Sequence, residues 1–415
     1  MKLKSLFLSS LPILVITITS CSNDDETPLI IPTPKVFNYT VPETYTFERE
    51  SATTVDHSGQ TYRLIMLDEM GAYIRNAGVN GTVADDAYLS DMFTNTNNRF
   101  AGAGLNTSGK QLKDKTAASK DYFSLYYGGG TTLEQTNVRI FFESTFDDAE
   151  AASQGAAASP GVAGVYLDGS SKRLYAANGL EPQQVFLKGM MGACLMDQIV
   201  NNYLSKHKLD EGSNRTNNTK KVLEVGKPYT AMEHAWDEAY GYIYGNDNLT
   251  VTPNTFKYWS SYINQVNADS DFNTLKNDIN LAFRKGRAAI VANDYETRNK
   301  QINIIKAKLA MVPAVRAVFY LQEGKTKLAQ GDGGIKAFHA LSEAYGFIMS
   351  LRYTNKPGTD NPYFSKSEVD SMLASMISGP NGLWDIDQIG PKLDAISNQI
   401  ATKFGFTVAQ AATVN

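Results

Sequence analysis

The stretch "EHAWDEAYGYIYG", Glu233 to Gly245, returns later in the chain as "FHALSEAYGFIMS", Phe338 to Ser350. Counted from His234 and from His339, seven of ten positions agree: His, Ala, Glu, Ala, Tyr, Gly and Ile. The chain has 4 histidines in 415 residues, and two of them sit in this phrase.

Each copy reads as a helix. Thr230 and Glu233 stand at capping-box spacing just after Pro228, so the first helix is expected to open at Thr230. Helical spacing then puts His234 and Glu238 on one face, with Asp237 beside them and Gly241 further along it. His339, Glu343 and Gly346 repeat the arrangement. A glycine inside a helix costs about 1 kcal/mol against alanine. Two at matching positions imply the close approach of another backbone or of a ligand.

An imidazole and a carboxylate pointing the same way suit a transition metal, iron or zinc among them. Helix bundles build metal sites from Glu and His on facing helices. Two pairs supply four ligands, His234, Glu238, His339 and Glu343, with Asp237 as an extra acid in the first copy. The same pairs could act as acid and base. The alternative is a packing motif, a buried His bonded to a Glu beside small residues that admit a neighbouring helix. The residues themselves leave both readings open.

Around the phrase the chain is mostly helical in period. Leu64, Leu67, Met70 and Ile74 recur at three- and four-residue steps, and "DAYLSDMFTNT" is a shorter helix. "VFLKGMMGACLMDQIVNNYLSKH" is so apolar that it belongs deep in a bundle. Phe272–Ala292 and Glu296–Gln322 are also helical, with Pro313 expected to kink or end the second. Ser365 and Glu368 form a capping box, and Pro391 is expected to break the last helix. "YYGGGTT", "ASQGAAASPGVAG" and "DEGSNRTNNTKK" read as loops. "GVYLDGSSKRLYAANG" can form a hairpin around "DGSS". Arg284 and Arg287 read as a solvated face, or else as partners of the motif acids. His57 and His207 read as solvated.

The N-terminus is a targeting segment. Lys2 and Lys4 precede an apolar run, Leu6 to Ile18, broken by Pro12 and too short to span a membrane comfortably. "ITSC" resembles a bacterial lipobox, with cleavage before Cys21 and lipid on that cysteine. "SNDDE" after it resembles a surface-export signal, and the Pro-rich stretch to Pro42 reads as a tether. Cys194 is then the one remaining cysteine, which excludes an intrachain disulfide; its apolar setting marks it as a core residue. Hydrophobic content of 42%, charged content of 20% and a net charge of −4 describe a globular chain with a core. The absence of a long Lys/Arg run excludes nucleic acid as a partner. Zincin, P-loop and nucleophile-elbow motifs are absent.

Five phrases in order resemble one family: Tyr45–Met70, "SGKQLKDKT", "NGLEPQQVFLKGMMGA", "EHAWDEAYGY" and "AFHALSEAYGF". They resemble the Bacteroidota lipoproteins grouped as domain-of-unknown-function family 4856, which is similar to the imelysins. The resemblance implies an all-α fold, an imelysin-like duplicated pair of four-helix-type bundles with long loops and a small hairpin. It also implies a link to iron uptake or, in some relatives, peptidase activity. His234 matches the histidine of the imelysin G-x-H-x-x-E motif, while Met232 stands at its Gly and Asp237 at its Glu. The expected division is a signal peptide at 1–20, a lipidated tether at 21–44 and a first helical half at 45–248 with a loop insertion at about 126–180. A second half covers 249–415. The expected protein is anchored to the outer membrane through Cys21, surface-exposed in one orientation. It binds a metal or small ligand for uptake, with an outer-membrane receptor as partner. A structural or partner-binding lipoprotein and a metallopeptidase-like enzyme are the other readings.

Overall fold

The structure is a computed structural model and describes residues 37–119, 133–168, 170–247, 256–330 and 335–414. The signal peptide, Cys21, most of the tether, the "YYGGGTT" loop and the expected boundary at 248/249 lie outside the described residues. The chain from Asn38 onward forms one unit, and it is mainly helical.

A short hairpin, β1 (Glu48–Arg49) against β2 (Ala52–Thr53), leads into α1 (Ser58–Asn80) and α2 (Asp86–Thr94). Helix α3 (Leu133–Ala152) follows, then the hairpin β3 (Gly164–Asp168) with β4 (Ser171–Tyr175). Helix α4 (Pro182–Met190) continues into π-helical turns at Met191–Met196 and Ile199–Tyr203. Two short helices, α5 (Lys206–Asp210) and α6 (Asn214–Thr219), precede the first motif helix, α7 (Ala231–Tyr244). Then come α8 (Tyr258–Ala268), α9 (Leu275–Val291) and α10 (Tyr295–Leu328). The second motif helix is α11 (Ala337–Ser350), followed by α12 (Lys366–Met376), α13 (Ile386–Phe404) and α14 (Val408–Ala412).

The long helix α10 is central and packs against α9, α11 and α13. The run from Met190 through Val200 is buried, as its composition requires, and Cys194 lies within it. Burial pushes the Cys194 thiol up to about 12, so it stays a protonated core residue. The hairpin expected around "DGSS" is present, with Gly164 opposite Tyr175 in antiparallel register.

Several expectations are corrected. Pro313 lies inside α10 and starts no new helix. A proline removes one backbone donor, and neighbours packed along a central helix hold it together regardless. Pro391 likewise sits inside α13 on its exposed side, where water can satisfy the freed carbonyl. The stretch taken as a loop insertion contains α3, which buries Val138, Phe142, Phe146 and Ala149 at helical steps. The "DEGSNRTNNTKK" loop contains α6, whose Asn218 is buried and donates to Ile290 O at 2.8 Å. Among the described residues no helix is long and apolar enough to cross a membrane.

Candidate functional site

The first copy is set by its cap. Thr230 N donates to Glu233 Oε2 at 2.8 Å, and Glu233 N donates to Thr230 Oγ1 at 3.2 Å. This reciprocal pair starts α7 where the sequence places it. The His/Glu/Gly face then meets the first turn of α1. A Cβ on Gly241 would lie 2.4 Å from His57 Cβ, so only glycine lets α1 so close. Gln60 Nε2 donates to Glu238 Oε1 at 3.0 Å. His234 stacks on Tyr229 with ring centroids 4.6 Å apart, and its Nε2 stands 3.9 Å from Glu238 Oε2. Its Nδ1 is buried without a hydrogen-bond partner. Tyr229 donates to Asp56 Oδ2 at 3.1 Å. Burial alone would raise Asp56; bonds from Ser58 and Tyr229 and the field of His234 outweigh it and hold the carboxyl down at about 2. His57, expected to be solvated, is half-buried beside this group, and burial lowers its pKa.

Asp237 belongs elsewhere. It is fully buried, accepting from Arg287 Nε at 2.9 Å and from the Tyr45 hydroxyl at 2.6 Å. Arg287, read as part of a solvated face or else as a partner of the motif acids, takes the second role and is fully buried. Its Nη1 stands 3.5 Å from Glu233 Oε1, its Nη2 donates to Thr54 Oγ1 at 3.0 Å, and its guanidinium lies 5.0 Å from the Phe47 ring centre. Arg49 closes the cluster by bonding Glu233 at 2.8 Å. Two carboxylates thus share one buried cation, and they titrate apart. Burial raises Asp237, whose Oδ2 has no partner. Burial would raise Glu233 too, but Arg287, Arg49 and the Thr230 amide bring it below its ordinary value.

The second copy repeats the docking with other partners. A Cβ on Gly346 would lie 2.4 Å from Lys188 Cβ on α4. Lys188 Nζ pairs with Glu343 at 3.1 Å. Burial would raise Glu343; Lys188, His339 and Tyr320 outweigh it and lower its pKa. His339 Nδ1 lies 2.6 Å from Glu181 Oε2, and Arg173 Nη1 lies 2.9 Å from the same nitrogen. Glu181 is buried, and its backbone N–H donates to Ser342 Oγ at 2.8 Å.

Both motif helices therefore use one scheme. The glycine admits a helix in front, α1 or α4, and the glutamate accepts a donor from it, Gln60 or Lys188. Behind, Trp236 fills the space over Gly286 of α9 and Leu341 the space over Gly324 of α10. A Cβ on those glycines would come within 2.1 and 2.4 Å of the rings and methyls packed on them.

The five motif residues divide into three groups. His234 stays with Glu238, Asp237 turns to Arg287, and His339 and Glu343 meet Glu181, Arg173 and Lys188. No hydrogen bond, ion pair or ring contact joins the first copy's histidine to the second's. Among the described residues no group of three or more His, Cys, Asp or Glu is placed to hold a metal ion.

Beside the second copy lies a cavity of about 350 Å³ between α1, β4 and α4. Arg75, Lys172, Arg173 and Lys188 line it against one carboxylate, Glu181. Two of those cations are the partners of His339 and Glu343. Nothing local in the sequence joins Arg173, Glu181 and His339, which meet only through the fold. Arg287 was legible: it follows Ile279 and Phe283 by helical steps and so lies on the apolar face of α9.

The family profile described as "Domain of unknown function (DUF4856)" matches residues 42–407, and the chain belongs to that family. No curated protein and no solved structure matches it.

Proposed function

We propose that this member of the DUF4856 family is an envelope-anchored lipoprotein that binds a small anionic ligand in the cavity beside the second motif helix. The observation that carries the reading is the charge of that cavity. Four cations face one carboxylate, in a chain whose net charge is −4. Cations gathered in a concave, partly desolvated wall attract anions far more than the same charges on an open surface. Arg173 is held in place by Glu181 and Lys188 by Glu343, while Arg75 and Lys172 are exposed at the rim. The ligand class is carboxylate or phosphate. Within an imelysin-like role in metal acquisition, a metal would arrive as an anionic chelate. Internal duplication of a helical unit accounts for the shared docking scheme of α7 and α11.

Calorimetric titration of the purified chain with hydroxycarboxylates and sugar phosphates tests this. Saturable binding that falls at least tenfold in an Arg75→Ala, Lys172→Ala variant of unchanged melting temperature is the expected result. No saturable anion binding, or binding indifferent to both substitutions, overturns it.

Direct metal binding at the His234/Glu238 pair is the second reading, favoured by the unpartnered His234 Nδ1. Metal analysis of protein purified without nickel separates the two. Stoichiometric iron or zinc lost in His234→Ala supports the second reading, and metal-free protein that binds anions supports the first. Protein that binds neither belongs to the structural class of surface lipoproteins.

A further inference from the structure

The turn between α9 and α10 gathers two parts of the chain that lie far apart in sequence. Tyr39, near the start of the described chain, donates to Asp294 Oδ2 at 3.0 Å. Lys221 Nζ donates to Val291 O at 2.5 Å and to Asn293 Oδ1 at 3.3 Å. The point where the chain enters the helical unit and the loop that follows α6 therefore lie at the same end of this unit.

That loop, "KKVLEVGK" from Lys220 to Lys227, is unusual. Val222 is 48% exposed, Leu223 39% and Val225 100%, and Val291 beside them is 39% exposed. Single exposed apolar residues need no explanation; a contiguous group on one loop marks an interaction surface. The loop is also held in shape. Glu224 N donates to Tyr229 O at 2.9 Å, Lys227 N donates to Glu224 O at 3.0 Å, and Gly226 takes a positive φ of 71°. Val222 N donates to Asn217 O at 2.9 Å, tying the loop to α6. The apolar side chains are thus presented by a defined turn. Lys220 and Lys227 flank them at the surface, Lys227 Nζ standing 3.5 Å from Asp56 Oδ2, while Lys221 is turned back onto Val291 O.

We infer that this loop is a membrane-docking tip, inserting Val222, Leu223 and Val225 among lipid acyl chains while Lys220 and Lys227 at its two ends meet anionic headgroups. An apolar tip with an exposed lysine at each end has the composition that interfacial anchors use. The location argues for a bilayer over a protein partner. The loop is at the end where the tether joins, and the 16 steps from Cys21 to Phe37 span at most about 55 Å when fully extended. An acyl chain on Cys21 would hold the loop near the bilayer at high effective concentration, so a weak docking, measurable without the acyl chain, suffices to orient the anchored protein. The inference rests on the lipid-anchor reading of Cys21 and adds an orientation to it: the α9–α10 end faces the membrane.

The test uses the chain from residue 21 onward carrying Cys21→Ala, which accepts no lipid. It is sedimented with vesicles of phosphatidylethanolamine and phosphatidylglycerol at low salt. The expected result is measurable co-sedimentation, reduced at least tenfold in a Leu223→Asp, Val225→Asp variant with the same melting temperature. Equal sedimentation of parent and variant overturns the proposal, as does sedimentation of neither. A parent that is dimeric without lipid, with a monomeric variant, also overturns it and makes the tip a self-association surface. The assay contains no acyl group. Failure of Cys21 to take acyl label in cells would therefore remove the anchor and leave this readout untouched.

Discussion

Arg287 Nε stands 2.9 Å from Asp237 Oδ1, and both side chains are fully out of solvent. The acid three residues after His234 is thus the counter-ion of a buried guanidinium that also ties down Thr54, and the acid itself accepts from Tyr45 of the N-terminal segment. Breaking a buried pair by removing one partner leaves an uncompensated charge and costs about 3–5 kcal/mol. Arg287→Ala is expected to lose stability on that scale in urea denaturation. A paired Arg287→Met, Asp237→Leu variant should recover part of the loss, since apolar residues of similar volume often replace buried ion pairs without penalty. Were Arg287→Ala as stable as the parent, the cluster would not hold the N-terminal segment to α7 and α9.

The glycines at the packing contacts of the two motif helices give a second expectation. Ala at Gly286, Gly324 or Gly346 puts a methyl into space already filled by Trp236, Leu341 or Lys188. Overpacking of this kind costs about 1–3 kcal/mol. Gly390 is a contrasting case: it lies in α13 with no non-neighbouring atom within 4 Å of its missing Cβ, but it directly precedes Pro391, whose ring crowds any Cβ there. There helix propensity favours Ala by about 1 kcal/mol and the following proline opposes it. Melting temperatures should fall for the first three and change least for Gly390→Ala.

Asp197 gives a pH dependence. It is fully buried beside the π-helical turns, accepting from Ser119 N at 2.9 Å and from Asn201 Nδ2 at 3.2 Å. Burial outweighs those bonds and pushes its carboxyl up to about 7, from an ordinary 3.8. The folded chain therefore holds this proton more tightly than the unfolded chain. The stability it contributes is complete below about pH 4 and is lost as pH rises through about 7. Asp197→Asn removes the dependence. Its stability relative to the parent should climb between pH 4 and pH 8 in paired denaturation curves, and parallel curves would exclude the assignment.

Glu343 works in the opposite sense. Its folded pKa is lowered, so its contribution is present above the ordinary glutamate value of about 4.3 and is lost as pH falls. Glu343→Gln should be less stable than the parent at pH 7 by about 1–3 kcal/mol. The difference should shrink toward pH 3. A constant difference across that range would mean that the loss comes from shape alone.

Much of the architecture was written locally. The caps at Thr230 and Ser365, the hairpin from Gly164 to Tyr175 and the buried run around Cys194 each depend on residues close in sequence. Their periodicity and turn chemistry could be read directly. The repeated phrase also announced two helices that accept a close neighbour, because a glycine in mid-helix has few other uses. What sequence could not supply was the identity of the neighbours. Helical spacing gives the direction of His234, Asp237 and Glu238 around α7 but not what waits in each direction. Only tertiary structure chose Arg287 over Arg284 as the partner of Asp237, and it joined His339 to Glu181 across a separation of 158 residues. Those meetings decide whether a carboxylate is a free ligand or a spent counter-ion. They arise from the packing of whole helices, to which no short stretch of sequence corresponds.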